Sequence, residues 1–124
     1  MGLPVSKRLR SSAEFARVRS KGTSYPARFV VLNVLNLDEE PQLPTRCGFI
    51  TTKKIGNAVQ RNRVRRQLRE IIRQTPLKEG CWLVTIARWR AVDATFAELK
   101  QDWRRAAKRA HILLAEAGTA VESP

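Results

Sequence analysis

An α+β sandwich, with helices packed on a small sheet, is the fold class this sequence predicts, and three observations predict it. Capping signals open three helical stretches, three apolar or β-branched runs read as strands, and the two kinds follow one another as α-β-β-α-β-α. A chain of 124 residues fits one compact domain, and a hydrophobic share of 43% is enough to build its core. Residues 1–124 are therefore read as a single domain, with flexible ends expected at 1–7 and 118–124.

The first helix is signalled by Ser11 and Glu14, a capping box in which each side chain satisfies a backbone N–H of the opening turn. Phe15 and Val18 give it an apolar edge, and Gly22 ends the turn that follows. Phe29 to Leu35 is a mostly apolar strand rich in valine. Asp38 to Pro44, acidic and holding two prolines, reads as an exposed hairpin loop, and Arg46 to Thr52 as the next strand. Gly56-Asn57 breaks the extended chain, and Asn57 with Gln60 forms a capping box for a long helix from Ala58 to Gln74, closed by Thr75-Pro76. Cys81 to Ala87 is the third strand. The last helix opens on Thr95 and Glu98 and is expected to reach Gly118, with an apolar stripe of Phe96, Leu99, Trp103, Ala107, Ala110 and Leu114.

Charge narrows the function. Lys and Arg number 24 against 11 Asp and Glu, a net +13, which suits a polyanionic partner: nucleic acid first, anionic membrane second. Between Pro41 and Arg69 there is no acid, yet Arg46, Lys53, Lys54, Arg61, Arg63, Arg65, Arg66 and Arg69 are all basic. Along the helix from Ala58 to Gln74, Val64, Leu68, Ile71 and Ile72 share one arc suited to docking on a sheet. Asn62, Arg65, Arg66, Arg69 and Arg73 share the adjoining arc, while Glu70 projects away from it. Like charges four residues apart weaken an isolated helix, so the array implies a partner that brings negative charge. Arginine suits phosphate because its planar fork binds two oxygens at once.

Other chemistry has little support. The longest apolar run, Phe29 to Leu35, is far short of the ~20 residues of a bilayer span, and no secretory leader is evident, so a cytoplasmic protein is expected. Cys47 and Cys81 lack a CxxC pattern or a neighbouring His and read as buried free thiols. His111 is the single histidine, unsupported as a base, and no carboxylate cluster suits two catalytic metals. Trp103 joins the apolar stripe of the last helix, whereas Trp89, between Arg88 and Arg90, is given no role.

The run from Gly48 through Lys53-Lys54-Ile55-Gly56-Asn57-Ala58-Val59 passes from the strand into the long helix and continues through Arg61-Asn62-Arg63, Arg65-Arg66 and Arg69-Glu70. This run resembles the signature of the protein subunit of bacterial ribonuclease P. The resemblance extends to Arg8-Leu9-Arg10, Glu14-Phe15, Val18, Gly22 and Ile86-Ala87-Arg88. It implies a small α-β sandwich of three helices and a four-stranded sheet (ribosomal protein S5 domain 2-like), with a left-handed βαβ crossover carrying the Arg-Asn-Arg helix. The fourth strand would lie near Thr23 to Tyr25.

By the same resemblance, the chain is expected to serve an endoribonuclease whose catalytic RNA removes the 5′ leader of precursor tRNA with magnesium ions held mainly by RNA. Lys53, Lys54, Arg61, Asn62, Arg63, Arg65, Arg66 and Arg69 would contact the catalytic RNA. A cleft between sheet and first helix, formed by Phe15, Arg19, Phe29 and Val31, would hold the leader. The chain departs from the family in two places: Arg19 stands where many members have a second aromatic, and Leu32 where many have a strand tyrosine. Partners expected are the catalytic RNA and precursor tRNA, with no DNA and no membrane. A ribosomal or architectural RNA-binding protein without a processing role is the alternative that composition alone allows. A DNA-binding regulator is disfavoured, since no helix-turn-helix spacing precedes the arginine-rich helix.

Overall fold

A computed structural model describes residues 7–114. Of the ends expected to be flexible, 1–7 and 118–124, all but Lys7 lie outside the described residues. Helix α1 spans Ser12–Lys21 and opens on its capping box: the Glu14 N–H donates to Ser11 Oγ and the Ser11 N–H to the Glu14 carboxylate, each at 3.1 Å. The short strand implied near Thr23 to Tyr25 is present as β1, Thr23–Pro26, and pairs antiparallel with β2, Val30–Asn36.

Strand β3, Arg46–Ile50, leads through helix α2, Ala58–Arg73, to strand β4, Cys81–Ala87, which pairs parallel with β3 and antiparallel with β2. The sheet order is therefore β1-β2-β4-β3. The hairpin expected across Asp38 to Pro44 does not form, because β4 lies between β2 and β3. That segment instead crosses the end of β4 and is held there by backbone bonds: Leu37 N–H donates to Gly80 at 2.8 Å, and Gly80 N–H to Leu43 at 2.7 Å. Composition marks a loop correctly but says nothing of which strands it joins edge to edge.

Alternation along the strands splits the apolar residues between two faces. Val30, Leu32 and Val34 of β2 and Cys81, Leu83 and Ala87 of β4 join the larger core, with Val64, Leu68, Ile71 and Ile72 of α2 and Leu99 and Trp103 of α3. Trp82, Val84 and Ile86 of β4 face the other way and form a smaller core with Leu9, Phe15 and Val18 under α1. Trp103 is fully buried, and its indole N–H donates to Thr85 Oγ1 at 3.0 Å, so its one polar group is satisfied.

Helix α3 spans Phe96–Arg109, opened by the Thr95–Glu98 capping box. It stops well before Gly118, which lies outside the described residues. His111 takes a left-handed conformation (φ 58°), with His111 N–H donating to Lys108 and Ile112 N–H to Ala107, the bonding of a Schellman cap. Histidine is among the residues enriched at positive φ. Ile112 turns back into the core, and Leu114, no longer on a helix, is half-exposed. A buried carboxylate ties α3 to the sheet: Asp102 is 1% exposed and accepts from the backbone N–H of Arg28 (3.1 Å) and Phe29 (2.7 Å) and from Arg105 (3.0 Å).

Candidate nucleic-acid interface

The approach to α2 is built by local chemistry. After β3, Thr52 accepts from the Lys54 N–H at 3.3 Å and caps a short 3-10 turn, Lys53–Ile55. Gly56 then takes φ +144°, where a side chain would be strained and a Cβ would lie 2.0 Å from Gln60 Oε1. That oxygen is needed elsewhere. It accepts from Asn57 N–H at 2.9 Å, while Asn57 Oδ1 accepts from Gln60 N–H at 2.9 Å, closing the capping box. No acid sits in the first turn, so Lys53 and Lys54, both exposed, stand beside an uncompensated positive helix pole.

On α2 the inward stripe is as expected, and the outward stripe holds Asn62, Arg65, Arg66 and Arg69 together. Arg65 donates to Asn62 Oδ1 at 3.0 Å and to Thr51 Oγ1 at 2.5 Å, which fixes its guanidinium against the end of β3. Asn62 and Arg66 are exposed. Arg69 is half-buried, and its pKa is lowered first by burial and then by the positive charges of Arg65 and Arg8. The stripe thus extends past α2 to the N-terminal segment as a self-repelling cluster.

Arg73, expected in the same array, is neutralised. Glu70, expected to project away, reaches it three residues on: Arg73 Nε donates to Glu70 Oε1 at 2.9 Å and the pair closes with a second bond. Hydrogen bonds from Arg73 and Gln74 bring the Glu70 carboxyl down to about 2. A projection of Cβ directions omits the reach of two long side chains at i,i+3.

Arg61 and Arg63 stand apart from the stripe. Arg61, on the apolar side in helical projection, donates to the Gly56 carbonyl at 2.8 Å, folding over the turn that opens the helix. Arg63 donates to the Val92 carbonyl at 2.6 Å. Each guanidinium keeps further donors beyond the one engaged.

The groove beside α1 differs from expectation in its floor. Phe15 is half-buried in the smaller core and lies against Gly48, where a Cβ would come within 2.4 Å of the ring. Its larger part is thus packing that anchors α1. Phe29 is 7% exposed and belongs to the larger core on the opposite face, so it does not line the groove. Leu32 is fully buried on that same face, so its departure from tyrosine leaves the groove unchanged. Arg19 and Val31 do line it, an open concavity of about 630 Å³, together with Ser20, Ser24, Asn33 and Ile86. Strand alternation, with Val30, Leu32 and Val34 inward, is the signal that points to Asn33 as a groove residue.

Above β4 the α1 side is also basic. Arg17 and Arg46 sit over the Trp82 ring at 5.3 and 5.5 Å from its centre. Arg46 pairs with Glu14 at 2.9 Å. The Glu14 carboxyl is held below its ordinary value by the backbone N–H of Arg10, then that of Ser11, and then by Arg46. Cys47 and Cys81 are buried free thiols, and burial pushes Cys47 up to about 12, which keeps it an unreactive thiol at neutral pH. Among the described residues, no three His, Cys, Asp or Glu side chains gather where they could hold a metal ion, and no helix is long and apolar enough to cross a membrane.

Comparison with known proteins adds a second line of evidence. Residues 3–111 match the family model described as Ribonuclease P. The chain is 44% identical over 112 residues to the ribonuclease P protein component of Gluconacetobacter diazotrophicus, covering 88% of this chain and 95% of that one. It is 39% identical over 111 residues to that of Symbiobacterium thermophilum, with 88% and 95% covered. Among solved structures, the ribonuclease P protein of Staphylococcus aureus superposes with a TM-score of 0.76 at 29% identity, over 87% of this chain and 98% of that one.

Proposed function

Because the chain belongs to the ribonuclease P protein component family, we propose that it binds the catalytic RNA of ribonuclease P through the outward stripe of α2, and the 5′ leader of precursor tRNA through the groove beside α1. It is the protein subunit of ribonuclease P, acting in tRNA processing, and the ribonuclease P RNA is its partner. The observation that carries the RNA-binding surface is the stripe of Arg65, Arg66 and Arg69 with Asn62 on α2 and Lys53 and Lys54 before it, cations that among the described residues have no ion-pair partner. Like charges held side by side oppose one another, and a phosphate backbone neutralises them.

In this reading phosphodiester hydrolysis takes place on the RNA subunit. The carboxylates beside the basic surfaces are engaged in structural roles: Glu14 in the α1 cap, Glu70 with Arg73, Glu98 in the α3 cap and Asp102 under the sheet. The donor set does not suit magnesium, so the proposal leaves that ion with the RNA and gives the chain no step through it. What the chain contributes is position and counter-charge: α2 holds the catalytic RNA, and the groove of Arg19, Val31 and Asn33 holds the leader where the RNA can cut. The reading places the protein in the cytoplasm, with RNA rather than DNA as its nucleic-acid partner.

The test is cleavage of precursor tRNA by a protein-free ribonuclease P RNA at low magnesium, with and without the chain. Restored cleavage at the mature 5′ end is the expected result. An absence of stimulation at saturating protein would overturn the proposal.

A further inference from the structure

Past Ile86, which lines the α1 groove, the surface deepens into a second concavity of about 690 Å³. Its walls come from three places: Arg28 from the β1–β2 turn, Lys54 from the 3-10 turn before α2, and Arg88, Trp89 and Arg90 from the segment after β4. Trp89 is 57% exposed, an unusual position for the largest apolar side chain. The Arg90 guanidinium lies over its ring at 5.2 Å from the centre, and Arg28 stacks on Phe29 at 5.0 Å. Among the described residues no carboxylate lines this concavity and none of its four cations has an ion-pair partner.

An exposed indole ringed by unpaired cations fits one ligand chemistry well: a flat, electron-rich heterocycle attached to phosphates. We propose that this concavity binds a nucleotide of single-stranded RNA, its base stacked on Trp89 and its phosphates held by Arg28, Lys54 and Arg88. The proposal rests on the RNA-binding reading above and extends it. Since Ile86 borders both concavities, the two adjoin, and a strand leaving the α1 groove has the second one beside it. Trp89 then supplies the aromatic platform that Arg19 does not, because stacking grips any base while phosphate contacts grip the backbone. Duplex RNA, whose bases are already stacked, gains nothing from it.

The experiment compares binding of the full chain to a single-stranded ten-nucleotide oligouridine and to a twelve-base-pair RNA duplex at fixed salt. Trp89→Ala is expected to weaken oligouridine binding roughly tenfold, the loss of one stacked base, while duplex affinity stays within about twofold. Trp89→Phe is expected to keep most of the single-strand affinity but lose the fluorescence quenching that oligouridine causes in the parent chain. It serves as the readout should the alanine variant fold poorly. Oligouridine affinity unchanged in Trp89→Ala, or equal losses on both RNAs, would overturn the inference. Failure of the parent chain to bind either RNA would overturn the RNA-binding reading as well, whereas a silent Trp89 in a chain that binds RNA would remove this site alone.

Discussion

Arg69→Met separates a binding role from a structural one, because the two predict changes of opposite sign. Methionine keeps the apolar stem and the helix propensity while removing the charge. In the free protein Arg69 is partly desolvated and faces Arg65 and Arg8, with burial the larger cause of its lowered pKa. Relieving one like-charge contact at i,i+4 is worth a few tenths of a kcal/mol. The variant should therefore melt at the parent temperature or up to about 2 °C above it, taking roughly 4 °C per kcal/mol for a chain of this size. If Arg69 contacts RNA as proposed, it makes a charge-assisted hydrogen bond worth about 1.5–3 kcal/mol, so affinity for the ribonuclease P RNA should fall roughly 10- to 100-fold. Calorimetric melting and filter binding on the same preparations read both numbers. A variant that melts several degrees lower yet binds RNA normally would refute the reasoning, since Arg69 would then be a prop for the fold.

Asp102→Ala strands two backbone N–H groups and one guanidinium, so it should destabilise the chain by about 2–4 kcal/mol in urea unfolding; a loss under 1 kcal/mol would mean water replaces the carboxylate freely. Glu70→Gln releases Arg73 and should steepen the salt dependence of RNA affinity by up to about 0.9 in slope, an unchanged slope placing Arg73 outside the footprint. Glu14 has a folded pKa below its ordinary 4.5, so its contribution is complete above that value and fades as pH falls through the lowered one. The difference in melting temperature between the parent and Glu14→Gln should accordingly be present at pH 7 and close below pH 4.5. A gap that persists at pH 3 would show that the cap does not depend on the carboxylate charge.

What sequence revealed here was what is local. The three capping boxes, the inward stripe of α2 and the span of β4 follow from neighbours within a few residues, and each is found where periodicity placed it. What it missed depends on distant partners or on side-chain reach. Pairing of β2 with β4 rather than β3 turned an expected hairpin into a crossover, and no residue of Asp38 to Pro44 encodes that choice. The end of α3 is set by His111 entering a left-handed conformation so that Ile112 can return to the core. In the groove, Phe29 shares the parity of Val31 and Asn33 but precedes β2, where the alternation begins, and turns into the larger core, while Asn33 qualified by parity and was passed over by type. The basic residues of the second concavity lie at 28, 54, 88 and 90, too scattered to read as one patch until the sheet assembles them.

Affinity for the ribonuclease P RNA as a function of salt is the measurement nearest to the claim that one stripe of α2 holds the fold while its neighbour captures phosphate. About six phosphate contacts predict a roughly thousandfold loss between 50 and 200 mM salt. A triple variant with Met at positions 65, 66 and 69 should flatten that slope by about half while keeping the parent's circular dichroism. A shallow slope in the parent chain, or a triple variant that unfolds instead of releasing RNA, would contradict the account.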